Sequence, residues 1–165
     1  MNMVPPMPAE TKEKQSGRTY SLELLDTQAG GDVSRIVLSG VKPLPGDSVR
    51  EQMEYLEQHG DNLRRLLISE PYGNPAEAVD LIVRPCDSRA QMGYIIMEAM
   101  GYPLYSGSNT ICTITALLKT GRIPLEDGEQ EVCIESPAGL AHARARSSDG
   151  YVQSVTTQEI GRAHV

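Results

Sequence analysis

Residues 105–119 have the sequence Tyr-Ser-Gly-Ser-Asn-Thr-Ile-Cys-Thr-Ile-Thr-Ala-Leu-Leu-Lys and contain the strongest helix pattern of the chain. The pattern predicts a helix over residues 110–119, because side chains for one face recur at helical spacing: Ile111, Ile114, Thr115 and Leu118. Lys119 in the last turn and Gly121 just after it are typical of a helix C-terminus. Residues 101–109 contain two glycines and a proline, which predicts a loop leading into the helix.

Strand patterns surround this helix on both sides. They are predicted over residues 20–25, 33–38, 79–84, 93–97, 131–135, 140–146 and 151–155. One helix is predicted to start at Asp47 or Ser48, since Ser48 and Glu51 fit a capping box, and Asp61 is predicted to cap another over residues 62–67. Strands dominate and most connections resemble hairpins. The sequence therefore predicts an α+β fold in which a curled, mostly antiparallel sheet surrounds a central helix.

The composition of the chain argues against several classes of protein. The chain has 165 residues with 39% hydrophobic and 22% charged residues, which is typical of one folded domain. Its net charge of -7 argues against binding to nucleic acid or to anionic membranes. No segment has the pattern of a membrane helix or a secretory signal. The cysteines are an odd number without metal-site spacing, so we expect a cytoplasmic protein with reduced thiols and no metal site.

The two ends of the chain differ from its middle. Residues 1–18 are rich in Pro, Glu, Lys and Ser, and we expect a disordered leader. Residues 19–156 form the predicted domain. The segment 159–165 resembles the translation of a sequencing-library adapter, so we interpret residues 157–165 as a non-native tail and expect the natural protein to continue past Thr156. A natural short tail is the alternative.

The loop before the central helix carries the candidate chemistry. Backbone N–H groups at a helix start have no internal partners, and a glycine lets an anion approach them closely. Gly107 and Ser108 therefore form a candidate cradle for a carboxylate, and the side chain of Ser106 would touch what the cradle holds. The alternative is that residues 106–108 only cap the helix, because serine and asparagine are ordinary cap residues.

Short motifs along the chain occur in the order found in one known family. The stretch from Asp26 to Thr156 resembles the proline racemase family in residues 26–32, 44–46, 61–65, 70–74, 106–111 and 136–140. This resemblance implies a diaminopimelate-epimerase-like fold, of which the chain would be the N-terminal one of two domains. It also implies an enzyme without a cofactor that uses two acid/base residues, one from each domain.

The resemblance assigns roles to single residues. The family's Cys-Gly-His motif corresponds to residues 106–108, so Ser106 takes the first catalytic position. Gly107 and Ser108 would donate backbone N–H groups to the substrate carboxylate, with Asn109 and Asn74 as further substrate-binding candidates. Ser108 replaces a histidine whose ring would contact the substrate amine. The second catalytic residue, a cysteine in most members, would lie outside this chain.

The serine at the first catalytic position affects which reaction the enzyme could catalyse. A hydroxyl is a far weaker acid than a thiol and a poor base without activation. The Ser-Gly-Ser-Asn form resembles a subgroup that acts on hydroxyprolines, which implies trans-3-hydroxy-L-proline dehydration or 4-hydroxyproline 2-epimerisation. Proline racemisation, a carboxylate-binding module and an inactive truncated fragment remain alternatives. The expected ligand is a small imino acid, and a homodimer is the assembly considered for the full-length enzyme.

Other chemically notable residues have structural interpretations. We expect the cysteines to fill structural positions: Cys86, Cys112 and Cys133. His142 alternates with alanines in a predicted strand and is expected to face solvent. Arg64 and Arg65 predict a surface or interdomain salt bridge, with an anion site as the alternative. Tyr72 replaces the arginine of the family's Glu-Pro-Arg-Gly motif.

Overall fold

The computed structural model describes residues 21–157, which form one sheet and three helices. The strands are β1 (Glu23–Ala29), β2 (Asp32–Ser39), β3 (Ala78–Val83), β4 (Met92–Met97), β5 (Gly128–Ser136), β6 (Gly139–Ser148) and β7 (Tyr151–Thr157). The helices are α1 (Val49–His59), α2 (Asn62–Ile68) and α3 (Gly107–Lys119). The predicted leader, residues 1–18, and residues 158–165 of the predicted tail lie outside the described residues. Thr157, predicted to start the tail, is the last residue of β7.

The strands lie side by side in sequence order from β1 to β7. Pairs β2–β3 and β4–β5 are parallel and the other four pairs are antiparallel. A parallel pair needs a crossover connection, and the helices supply it. Helices α1 and α2 connect β2 to β3, and α3 connects β4 to β5. The predicted α+β fold with a mostly antiparallel sheet is confirmed.

Helix α3 lies inside the curl of the sheet. It packs against β1, β2 and β3 near one edge and against β7 at the other. Ala141, Ala143 and Ala145 on β6 are buried toward this core, while His142 and Arg144 between them face solvent, as predicted. Small side chains on β6 leave room for the larger ones around α3: Tyr94, Ile96, Ile114, Leu117, Leu118, Ile123, Val132 and Ile134.

Helices α1 and α2 cover the outer face of the central strands. The N-cap of α1 is Ser48, whose Oγ accepts a hydrogen bond from Glu51 N at 3.1 Å. The Glu51 carboxylate bonds the backbone N–H of Asp47 instead of that of Ser48, so the predicted capping box forms with a shift of one residue. The outer core comprises Val37, Val49, Met53, Leu56, Leu67, Ile68, Val79, Leu81, Ile95 and Met97. No helix within residues 21–157 has the length and apolar character needed to cross a membrane.

Three local predictions were wrong. Strand β1 continues to Ala29, because Gly30 and Gly31 both have positive φ angles and make the turn alone. Helix α3 begins at Gly107, three residues earlier than predicted, since weak helix formers are tolerated in a capped first turn. Asp61 precedes α2 but its side chain makes no cap hydrogen bond. Arginine side chains compete for that carboxylate and bind it instead.

Candidate functional site

The N-terminus of α3 is capped by a serine. Ser106 has extended backbone angles (φ -152°, ψ 132°), and its Oγ accepts a hydrogen bond from Asn109 N at 3.4 Å. Its carbonyl oxygen accepts from Thr110 N at 3.0 Å and from Thr110 Oγ1 at 2.7 Å. Ser106 Oγ also lies 3.2 Å from Ser108 Oγ. These contacts fix both hydroxyls at the start of the helix.

The first amides of α3 are available to a ligand. The bond from Thr110 N to the Ser106 carbonyl is the first of the regular helix, so the N–H groups of Gly107 and Ser108 precede the internal ladder. The helix dipole adds positive potential at this end. Residues 106–108 thus place two N–H groups outside the helical ladder beside a hydroxyl, and their binding of a carboxylate stays a prediction.

A polar cavity of about 210 Å³ opens beside this helix start. Its walls come from β2, from the segment entering β3, from the end of β4 and from α3: Asp32, Val33, Ala76, Ala78, Glu98, Ser106, Ser108 and Asn109. Three of the predicted site residues therefore line one pocket: Ser106, Ser108 and Asn109. Two acidic residues that the sequence pattern did not single out, Glu98 and Asp32, also line the cavity.

A buried hydrogen-bond network lies behind the pocket wall. Asn109 is only 3% exposed, and its Oδ1 accepts a hydrogen bond from Ser34 Oγ at 2.7 Å. Asp80 on β3 is completely buried, and its Oδ2 accepts from Thr113 Oγ1 on α3 at 3.1 Å. The other oxygen, Asp80 Oδ1, has no hydrogen-bond partner among the described residues. The network links two strands to the first turns of α3.

Burial controls the charge of Asp80. Removal from water raises the pKa of this carboxyl well above its usual range; the hydrogen bond from Thr113 opposes the shift, the nearby charge of Glu98 adds to it, and the neighbouring hydroxyl of Ser34 opposes it. Burial therefore favours the neutral form of Asp80 over the charged one. A single Asp inside the apolar sequence Ala-Val-Asp-Leu-Ile-Val was the sequence signal that could have identified it.

The three cysteines lie away from the pocket walls. Cys112 is fully buried on the side of α3 that packs on β2, and desolvation raises the pKa of its thiol. Cys86 and Cys133 are partly buried, and Cys86 Sγ accepts a hydrogen bond from Gln52 Nε2 at 3.1 Å. Within residues 21–157, no His, Cys, Asp and Glu side chains are grouped closely enough to hold a metal ion.

An ion cluster fixes the end of β4, which carries Glu98 into the pocket. The carboxylate of Asp61 accepts hydrogen bonds from Arg64, Arg65 and Tyr102 at 2.7 to 2.9 Å. These donors, Arg64 foremost, hold the pKa of Asp61 far below its usual range. Arg64 Nη1 also donates to the carbonyl oxygen of Glu98 at 2.9 Å. The salt bridge predicted from the two arginines is confirmed, and it braces the turn after Glu98.

Asn74 is placed outside the pocket walls. Its side chain is exposed and serves its own turn, since Oδ1 accepts a hydrogen bond from Ala76 N at 3.0 Å. Its substrate contact remains a prediction. A larger, mostly apolar groove of about 400 Å³ lies at α2 and the loop after it, and none of the predicted site residues lines that groove.

Comparison with known proteins places the chain in a family. The model of the proline racemase family matches residues 24–162. The chain belongs to the proline racemase family. It is 56% identical to a protein of Chromohalobacter salexigens over 84% of this chain and 38% of that protein. It is 39% identical to a 4-hydroxyproline 2-epimerase of Allorhizobium ampelinum over 82% of this chain and 40% of the epimerase.

A solved structure gives the same result. The crystal structure of a hydroxyproline epimerase from Agrobacterium vitis, with bound trans-4-hydroxy-L-proline, superposes with a TM-score of 0.78 and 38% sequence identity. The superposition covers 82% of this chain and 40% of the epimerase. The chain therefore spans about two fifths of the length of the proline racemase family relatives that it matches.

Gly107 offers a test of the cradle. Apart from its chain neighbours and the backbone of its own helix, a Cβ added to this residue would meet no described atom closer than Thr157 Oγ1 at 4.0 Å, and Gly107 is the first residue of a helix, so the fold does not require glycine here. We expect Gly107→Ala in the full-length protein to keep the melting temperature and to weaken binding of an imino acid about tenfold or more. Titration calorimetry and thermal unfolding measure the two effects. A variant that binds as tightly as the wild type would contradict the cradle.

Proposed function

We propose that the chain is the N-terminal domain of an enzyme that transfers a proton at the Cα of a hydroxyproline, without a cofactor. 4-Hydroxyproline 2-epimerisation is the reaction that we place first. The observation that carries the proposal is the pocket at the start of α3, where Ser106 Oγ lies beside the first helical amides. The similarity to two hydroxyproline epimerases supports the choice of substrate.

The geometry suggests how one half of the reaction proceeds. The substrate carboxylate binds the N–H groups of Gly107 and Ser108, which orients the Cα–H bond relative to the Ser106 hydroxyl. A serine needs help to exchange a proton with carbon. Glu98 and Asp32 are the pocket carboxylates that could relay this proton, directly or through water.

The other face of Cα requires a second group. An epimerase must remove a proton from one face and return one to the opposite face, whereas this domain supplies one wall of a pocket. The chain spans only about 40% of the matched epimerases. We therefore propose that a second domain completes the site and that the 165-residue chain alone turns over no imino acid.

Dehydration of trans-3-hydroxy-L-proline is the second candidate, and the serine at position 106 favours it. Loss of water needs only one base at Cα, while the hydroxyl on the neighbouring carbon leaves with a proton as water. Ser106 could then act as a positioned proton donor, directly or through a water. Racemisation of unmodified proline would need two competent bases.

The experiment compares the chain with the complete reading frame recovered from the source DNA. Each purified protein is incubated with 4-hydroxyproline, trans-3-hydroxy-L-proline or L-proline in deuterated water. Chiral chromatography detects epimers, mass spectrometry detects deuterium at Cα, and loss of water identifies dehydration. We expect deuterium incorporation and epimer from 4-hydroxyproline with the complete protein only.

The other outcomes separate the alternatives. Loss of water from trans-3-hydroxy-L-proline without epimer would establish the dehydratase. Turnover by the chain alone would refute the need for a second domain. A reading frame that stops after Val165, with carboxylate binding and no exchange, would favour a binding module.

A further inference from the structure

The side chain of Asn109 meets both the pocket and the buried network. Its Oδ1 points inward to Ser34 Oγ. The two terminal atoms of an amide diverge from one carbon, so Nδ2 points away from Ser34. Nδ2 has no hydrogen-bond partner among residues 21–157, yet it is not sealed from solvent, and Asn109 lines the pocket. The amide therefore presents N–H donors on its pocket side.

We propose that a buried hydrogen-bond chain, from Thr113 through Asp80 and Ser34, orients the Asn109 amide so that its NH₂ group binds the substrate carboxylate. Asp80 and Ser34 are positioning residues in this scheme, because neither reaches the pocket. The identity of the ligand rests on the proposed function, whereas the donor-to-acceptor direction of the hydrogen bonds does not.

The donor-to-acceptor direction along this series of hydrogen bonds follows from the number of protons on each group. The hydroxyl of Ser34 has one proton, which it donates to Asn109. Thr113 donates its own proton to Asp80 Oδ2. Asp80 Oδ1 is fully buried without a partner among the described residues, and Ser34 lies near enough to act on the charge of this carboxyl. Asp80 Oδ1 and Ser34 Oγ are not hydrogen-bonded to each other in the structure, and we infer that a proton on Oδ1 is donated to Ser34 Oγ and joins the two observed hydrogen bonds.

An ionised Asp80 would reverse the donor and acceptor roles of Ser34 and Asn109. A carboxylate only accepts hydrogen bonds, so it would take the Ser34 proton, and Asn109 would then have to turn its NH₂ group inward to Ser34. The carbonyl oxygen of Asn109 would face the pocket and repel a carboxylate. The protonation state of Asp80 thus sets whether the pocket wall donates or accepts.

Two variants of the full-length protein separate this role from simple packing. In Asp80→Asn the new amide has an acceptor for Thr113 and a donor for Ser34, as a neutral acid has. We expect its KM for the hydroxyproline to stay within about threefold of the wild type. Ser34→Ala breaks the chain and should raise KM about 10- to 100-fold, the range for losing a hydrogen bond to a charged group.

Ser147→Ala is the matched control. Ser147 on β6 is also a buried serine, at 3% exposure, and its Oγ has no partner within the described residues. It should keep the wild-type KM. Thermal unfolding of all three variants identifies any loss of folding, and Asp80→Asn should be at least as stable as the wild type at neutral pH because burial disfavours the charged carboxylate.

The pH profile gives an independent measurement. As pH rises through the raised pKa of Asp80, the wild type should lose affinity for the carboxylate, whereas Asp80→Asn should lack that loss. Other titratable groups near Asp80 are Glu98 just after β4, Tyr94 on β4 and Cys112 on α3. They remain in both proteins, so the difference between the two profiles belongs to Asp80.

Infrared spectroscopy tests the chain without a substrate. The wild type at neutral pH should show a carboxylic-acid carbonyl band that Asp80→Asn lacks. Absence of that band, equal KM values for Ser34→Ala and Ser147→Ala, or a KM in Asp80→Asn as high as in Ser34→Ala would each overturn the inference. A wild type that shows the band but binds no imino acid would refute the proposed function and the ligand assigned to Asn109, while the hydrogen-bond chain would stand.

Discussion

Ser106→Ala in the full-length protein is expected to lower kcat/KM for the hydroxyproline by about 10²- to 10⁴-fold, the range for losing a positioned acid/base group. The hydroxyl lies in the pocket wall, one residue before the amides proposed to hold the carboxylate. Its removal leaves the amides in place, so the loss should fall mainly on kcat. Steady-state kinetics with the preferred isomer measures the effect.

The same substitution also removes a helix cap, which costs about 1 kcal/mol of stability. Ser48→Ala is the matched control, because Ser48 caps α1 through an equivalent bond to the third residue of its helix and lies outside the pocket. It should be destabilised to a similar degree and keep its activity. Cys112→Ala should likewise impair turnover much less than Ser106→Ala. Equal losses in Ser106→Ala and Ser48→Ala would exclude a chemical role for Ser106.

Leu117→Ala is expected to cost about 2–5 kcal/mol of the free energy of unfolding. Leu117 is 0% exposed and belongs to the core that α3 forms with β4, β5 and β6. Truncation removes buried apolar surface and leaves a cavity where the surrounding strands cannot fully close. Urea unfolding followed by circular dichroism measures the change.

Leu66→Ala provides the comparison for this prediction. Leu66 is also a helical leucine, on α2, but it is 47% exposed. We expect a change of less than about 1 kcal/mol. Similar losses in the two variants would contradict the central position of α3 in the core.

Much of the architecture could be predicted from local patterns. The apolar spacing of α3 and the alternation of alanine with His142 and Arg144 on β6 depend on neighbours in the chain. The structure preserves both. The first turn of α3 was missed because glycine, serine and asparagine favour loops, and only the cap contact of Ser106 with Asn109 reveals that they start a helix.

The rest depends on contacts between distant residues. Asn109 and Ser34 are 75 positions apart, and Asp80 and Thr113 are 33 apart, so no local pattern could have joined them. The prediction for Asp61 failed for the same reason. Its position before a helix suggested a cap, but tertiary contacts with Arg64 and Tyr102 determine what its carboxylate binds.

The position of α3 also has a consequence for how the domain is made. The helix is the seventh element along the chain, yet it packs against both the first strand and the last. Contacts of such long sequence separation slow folding, because long loops must close before they form. Synthesis releases α3 before β5, β6 and β7, so Ile114 and Leu117 emerge from the ribosome before their partners on β5 and β6. The domain therefore completes its core only after β7 has been synthesised, and until then the apolar face of α3 stays partly uncovered.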